Sequence, residues 1–220
     1  MIDDAKMTKD LSTCYSAVVH DVMLGMGLRN FVLPIEITPL IPEVTLCGPA
    51  FTIEGEPSDG ADGHETLLAW TGLLSKAPSG HIWVCQPHTH EIAQMGELSA
   101  ETLKNKGVQG CVLDGLARDT GFLREIGFQT WRRGHTPRDV VGRWLPIGTG
   151  HTIHIGGVAI SQGDYLLGDG DGMVRVPRAV VAEVTEKSIA AMETEKTVRT
   201  AFLNGSDRQE AYLQYGMFCC

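Results

Sequence analysis

Glu97 and the adjacent pair Arg118 and Asp119 are the residues of this sequence best suited to chemistry. Asp119 offers a hard oxygen ligand to a Mg²⁺-like ion, and Arg118 offers a planar fork for a carboxylate. Side by side they could hold a metal and an anionic substrate together. The pair also has a plainer use, since an Asp at a helix start caps it and an Arg beside it can stay solvated. Glu97 follows Gly96 at a helix start, where an acid complements the dipole. Alternatively the free amides of Leu98 and Ser99 bind an anion there while Glu97 orders water on a metal.

These residues stand at the two ends of one helix-strand unit, residues 96–119. A helical segment closes at Gly107, and the apolar run Cys111-Val112-Leu113 reads as a buried strand entering the turn Asp114-Gly115. Chemistry is expected just past that strand. Other candidates are less specific. His88 and His90 form a His-X-His pattern with no third imidazole ligand, and read as a polar loop near the mouth of a site. Asp169 and Asp171 alternate with glycine as in a calcium loop, but no bidentate Glu follows at the required distance, so a tight turn is expected. No GxSxG elbow, Walker loop or GxGxxG fingerprint occurs, which removes the usual signatures of serine hydrolysis, P-loop chemistry and dinucleotide binding.

The surrounding pattern alternates helix and strand, the mark of an α/β fold. Apolar spacing predicts one helix over residues 8–24, a strand over 44–54, a helix over 61–75 and a strand over 81–85. A helical turn over 121–126 and a strand over 128–131 follow the central unit. From residue 148 short strands punctuated by glycine suggest a β-rich portion, at 153–160, 165–167 and 173–176. Pro177 then opens a helical run to about Leu203, and residues 206–214 read as a last short helix. With no repeat or linker, residues 1–220 are expected to form a single domain.

The chain carries 18 Lys plus Arg against 27 Asp plus Glu, a formal net charge of −9. That balance opposes the phosphate attraction on which most nucleic-acid binders rely. No stretch approaches the ~20 apolar residues of a membrane span, so a cytoplasmic protein without nucleic-acid or membrane partners is expected. Six cysteines lack a CxxC pair, and reduced thiols without a zinc cluster are expected.

Taken together, Gly96-Glu97-Leu98, Gly107-Val108-Gln109-Gly110, Val112-Leu113-Asp114-Gly115 and Arg118-Asp119 resemble the family that contains the regulator of ribonuclease activity A and the metal-dependent 4-hydroxy-4-methyl-2-oxoglutarate aldolases. Gly48-Pro49-Ala50-Phe51-Thr52, Gly134-His135-Thr136-Pro137, Gly163-Asp164 and the Asp169 to Gly172 turn extend the likeness. The sequence departs at Gln129, where members often have proline, and at residues 60–64, which only loosely match a Gly-Asp-Asn turn.

The resemblance implies a three-layer β/β/α swivelling-type fold with helical N- and C-terminal segments. It further implies a homotrimer or homohexamer with active sites between subunits. Asp119 would be the ligand of a Mg²⁺ or Mn²⁺ ion, Glu97 would hold it through water, Arg118 would bind a 2-oxo acid, and the Leu98 and Ser99 amides its carboxylate. Glu195, with Glu193 as a close rival, resembles the acid that members donate from a neighbouring subunit. The implied reaction is cleavage of 4-hydroxy-4-methyl-2-oxoglutarate or a related 4-hydroxy-2-oxo acid to pyruvate through a metal-stabilised enolate, with oxaloacetate decarboxylation. The regulator branch implies an alternative, a non-catalytic protein that binds and inhibits a ribonuclease complex.

Overall fold

The computed structural model describes residues 3–203 together with Asp207 and Gln209. The chain opens with α1 (Asp4–Leu11) and α2 (Ser16–Gly25), then reaches the short β1 (Thr38–Pro39) and the long β2 (Leu46–Pro57). Next come α3 (Gly63–Lys76), β3 (Ile82–Gln86), α4 (Glu97–Asn105), β4 (Gly110–Leu113) and the short β5 (Leu116–Ala117). Then follow α5 (Thr120–Glu125), β6 (Thr130–Arg132), β7 (Gly134–His135) and β8 (Trp144–Thr149). The hairpin of β9 (Ile153–Ile155) and β10 (Val158–Ile160), then β11 (Tyr165–Asp169), β12 (Gly172–Val176) and α6 (Val181–Leu203) complete the order.

The main sheet runs β1-β6-β4-β3-β2-β11-β12, with β8 also paired to β2. Its centre is parallel, β2 on β3, β3 on β4 and β4 on β6. Successive side chains of a strand point to opposite faces, and β3 and β4 use this to cover two layers at once. Trp83, Cys85, Cys111 and Leu113 pack under α3, α4 and α5 with Leu73, Leu103 and Leu123. Ile82, Val84 and Val112 pack on the other face against Ile153, Ile155, Val158 and Ile160 of the β9–β10 hairpin. The result is a mixed α/β fold with the expected β/β/α layering. Full burial of each such side chain is worth about 1.5–3 kcal/mol. A further cluster joins α1, α2 and α6 to β11 and β12 through Leu11, Val19, Tyr165, Val176 and Val184.

Several elements differ from the sequence reading. The single helix expected over 8–24 is two helices. The hydroxyls of Ser12 and Thr13 donate to Lys9 O and Asp10 O at 2.8 and 2.7 Å, closing α1 early. α2 then restarts with Ser16, whose N–H and Oγ both donate to Asp169 at 2.7 Å. That cap comes from the distant β11–β12 turn, so no local pattern announces it. β8 was not anticipated, because Pro146 and Gly148 break its strand pattern; it is fixed by antiparallel pairing to β2 with an irregularity at Glu54/Gly55. β6 begins at Thr130 rather than Phe128. The helix expected over 206–214 and the Cys219-Cys220 pair lie outside the described residues.

The departures from the family pattern have structural roles. Gln129 is 2% exposed, and its Nε2 donates to Ile41 O and Val44 O at 2.7 and 2.5 Å, pinning the loop before β2. Asp62 caps α3 by accepting from His64 N and Glu65 N at 2.9 and 3.0 Å. Cys14, Cys47, Cys85 and Cys111 are free and buried. Burial pushes the Cys47 and Cys111 thiols up to about 12, which leaves them protonated and inert. Among the described residues no helix is long and apolar enough to cross a membrane.

Candidate active site

The parallel strands β3 and β4 leave the sheet at the same edge, and the chain after each returns to the other. Ala93 bridges to Leu116 in parallel register. Gln94 N donates to Leu116 O at 2.9 Å, and Arg118 N donates to Met95 O at 2.8 Å. Main-chain bonds therefore stitch residues 93–96 to residues 116–118, although 22 positions separate Glu97 from Asp119.

Gly96 lets the chain approach the Arg118 and Asp119 side chains closely at this seam. A Cβ there would stand 2.7 Å from Asp119 Oδ2 and 3.0 Å from both Arg118 Cγ and Nε. Asp119 itself has φ 55 and ψ 37, the left-handed region that only a few per cent of non-glycine residues adopt. Such strain persists where surrounding contacts hold it, and it clusters at functional sites. Asp119 does precede α5, yet its side chain makes no capping hydrogen bond there. The carboxylate turns toward α4 instead.

In that position Asp119 Oδ2 accepts from Glu97 N at 3.1 Å and lies 3.4 Å from Arg118 Nε. Both contacts use Oδ2, and among the described residues no partner is found for Oδ1. Ala100 N makes the first helical bond of α4, to Gly96 O at 3.0 Å. The amides of Leu98 and Ser99 thus precede the helical ladder, as free donors at the positive end of the dipole. Ser99 Oγ accepts from Trp70 Nε1 at 2.9 Å, which ties α4 to α3. Trp70 is held in turn by edge contacts to Trp83 and Trp144, each with ring centroids 5.8 Å apart.

These groups line a cavity of about 460 Å³ between α3, α4 and the loop before β8. Glu97, Leu98, Ser99, Arg118 and Asp119, all expected from the sequence, meet in it. Glu195 does not line the cavity of its own chain. It lies on α6 and accepts from the Tyr15 hydroxyl, whose pKa burial and this acid push up to about 12. Glu193 is exposed and pairs with Lys196 at 2.6 Å. His88 and His90 stand apart from the cavity lining. His88 Nε2 contacts Glu54 Oε1 at 2.7 Å, and His151 Nε2 contacts Glu54 Oε2 at 2.6 Å. The His88 bond, joined by that of His151, holds the Glu54 carboxyl below its ordinary value. His90 lies 3.6 Å from Asp114.

Sequence reasoning missed Asp139. Its Oδ2 lies 3.3 Å from Arg118 Nη1, and its Oδ1 accepts from Arg143 Nη1 at 3.0 Å. Asp139 belongs to an irregular loop 20 positions beyond Asp119, and an acid after Thr-Pro-Arg carries no local signal of its destination. Trp70 was also missed, because an aromatic on an apolar helix face reads as core.

The family described as RraA-like, Aldolase/RraA, matches residues 16–175. The chain is 26% identical over 212 residues to protein DlpA of Legionella pneumophila, covering 95% of this chain but only 34% of DlpA's length. It is 27% identical over 194 residues to a protein of Halalkalibacterium halodurans provisionally named 4-hydroxy-4-methyl-2-oxoglutarate aldolase, covering 86% of this chain and 85% of that one. Among solved structures it resembles Streptomyces coelicolor RraAS2, described as an unusual member of the RNase ES inhibitor RraA protein family. That match has a TM-score of 0.80 and 26% identity, and covers 90% of this chain and 98% of RraAS2.

Proposed function

The chain belongs to the RraA-like family, and from the cavity it builds we propose a divalent-metal-dependent carbon–carbon lyase that cleaves a 4-hydroxy-2-oxo acid to pyruvate. Oxaloacetate decarboxylation would be the same chemistry with CO₂ as the leaving fragment. The observation that carries this reading is the seam between residues 93–96 and 116–118. It sets a helix amide, a guanidinium and a carboxylate on a left-handed backbone around one opening.

The residues fit a hard cation. Asp119 has one oxygen anchored and the other without a partner among the described residues, and Glu97 adds a second carboxylate to the same wall. Mg²⁺ and Mn²⁺ take few protein carboxylates and complete their shell with water and substrate oxygens. Asp119 would hold the ion directly and Glu97 through water. A bound Mg²⁺ or Mn²⁺ would supply positive charge against the oxyanion that develops at the keto oxygen.

The chain's own groups do the rest. Arg118 directs its fork at the 2-oxo acid and opposes the same developing charge. The Leu98 and Ser99 amides grip the carboxylate at the helix N-terminus. Glu97 takes the C4 hydroxyl proton through water as the C3–C4 bond breaks, and a proton returns to C3. In a trimer or hexamer, Glu195 from a second copy is the further acid of the site. Pyruvate release from 4-hydroxy-4-methyl-2-oxoglutarate and oxaloacetate, with and without a chelator, tests the reading. Release that survives the chelator would remove the metal from it.

The likeness to RraAS2 supports a second reading, a ribonuclease-binding regulator. Retention of the chain on an immobilised ribonuclease complex, with no lyase activity on any 2-oxo acid, would favour it.

A further inference from the structure

We propose that Asp139 is a positioning residue: it draws the Arg118 guanidinium away from Asp119 and so keeps Asp119 Oδ1 open to a divalent cation. The cation rests on the lyase reading, whereas the placement of the three side chains does not.

Arg118 and Asp119 are neighbours in the chain and both line the cavity. A guanidinium beside a carboxylate readily closes into a bidentate pair, with two parallel N–H···O bonds of about 2.7–2.9 Å. A closed pair would occupy both oxygens of Asp119 and offset its charge, leaving little for a cation. Here the pair is open. Arg118 Nε stands 3.4 Å from Oδ2, too far for such a bond, and Oδ1 has no partner among the described residues.

Asp139 supplies the opposing pull. Its Oδ2 lies 3.3 Å from Arg118 Nη1, a different nitrogen from the one that faces Asp119. The guanidinium is shared between two carboxylates at nearly equal distance and closes on neither. Both ends of this arrangement are anchored. Asp139 Oδ1 accepts from Arg143 Nη1 at 3.0 Å and from Val141 N at 3.3 Å, which ties the carboxylate to its own loop. Arg118 N donates to Met95 O at 2.8 Å, which fixes the backbone of the arginine to the seam. Only the Arg118 side chain is left to choose between the two acids.

The balance is a gentle one. The three side chains are 34–38% exposed, so each ion pair is worth about a fivefold preference or less. Contacts this weak hold an orientation without locking it, and the guanidinium stays able to meet a substrate carboxylate. Without Asp139, Asp119 would remain as the acid in ion-pair contact with Arg118, and the pair could close.

The test is a double-mutant cycle read by Mn²⁺ binding to the full chain without substrate, followed through the free-ion signal in electron paramagnetic resonance. Asp139→Asn keeps an oxygen for Arg143 and Val141 N, and should weaken Mn²⁺ binding roughly fivefold as Arg118 closes on Asp119. In an Arg118→Gln background the same substitution should cost less than about twofold, since no guanidinium remains to close. A loss of equal size in both backgrounds would make Asp139 a remote charge, and no loss in either would make it a bystander. Each of these results overturns the positioning role, and the lyase reading survives them if the parent chain releases pyruvate. If the cycle comes out as expected but the parent releases no pyruvate from 4-hydroxy-4-methyl-2-oxoglutarate or oxaloacetate, the lyase reading fails and the positioning role stands. A parent chain that does not bind Mn²⁺ removes both.

Discussion

Asp119 and Asp164 are both aspartates beside an arginine, and the protein uses them in opposite ways. Asp164 is 4% exposed, with both oxygens engaged. Its Oδ2 accepts from Ser161 N at 2.8 Å and from Arg175 Nε and Nη2 at 2.8 and 2.7 Å, and its Oδ1 accepts from Arg178 N at 3.0 Å. Arg178 also reaches Asp4 at 2.7 Å and stacks over Tyr165, 5.9 Å from the ring centre. Asp119 has one amide on one oxygen, an offset guanidinium and a strained backbone. A buried carboxylate with both oxygens engaged by four donors holds structure. One that the fold orients but leaves open can bind something else.

That contrast predicts a crossover between two variants. Asp119→Ala should lower pyruvate release by about 10³-fold or more, while its urea midpoint corresponds to a stability change within about 1 kcal/mol. Asp164→Ala should do the reverse in kind, costing about 3–5 kcal/mol of stability because it strands the Arg175 guanidinium in a part-buried network. Equal stability losses for the two would erase the distinction drawn here.

Gly96→Ala sharpens it further. The new Cβ would press on Asp119 Oδ2 and Arg118, so activity should fall about 10²-fold through misplacement alone. Far-ultraviolet circular dichroism should stay unchanged, since α4 begins after this residue.

The smallest effect is expected at Glu54, held low by His88 and His151. A depressed carboxyl contributes stability that is present above its ordinary value of 4.5 and is lost as pH falls through the lower folded value. Below pH 4.5 the melting temperature should therefore drop less in Glu54→Gln than in the parent. Lyase activity should change little, because Glu54 lies outside the cavity lining.

Much of the fold was legible. The 3.6-residue spacing placed α3, α4 and α6, and apolar runs placed β2, β3 and β4, because those elements bury a continuous face and their patterns are local. The break between α1 and α2 was not legible, since Asp169 caps α2 from 153 positions away. Nor was β8, whose proline and glycine hide a strand that only β2 can pair. In the site, Glu97, Arg118 and Asp119 could be read from their motifs and family resemblance, whereas Asp139 and Trp70 could not.

The sequence by itself determined which groups are suited to chemistry and that a helix and a strand lie between them, since residue type and periodicity are properties of short segments. Tertiary structure decided the rest. The parallel pairing of β3 and β4 brought both loops to one edge, and main-chain bonds across residues 93–96 and 116–118 turned Asp119 from a helix cap into an open carboxylate. Asp139 reached Arg118 because folding converts a sequence separation of 21 positions into 3.3 Å. Electrostatic partners are set by distance in space, and no local pattern encodes that distance.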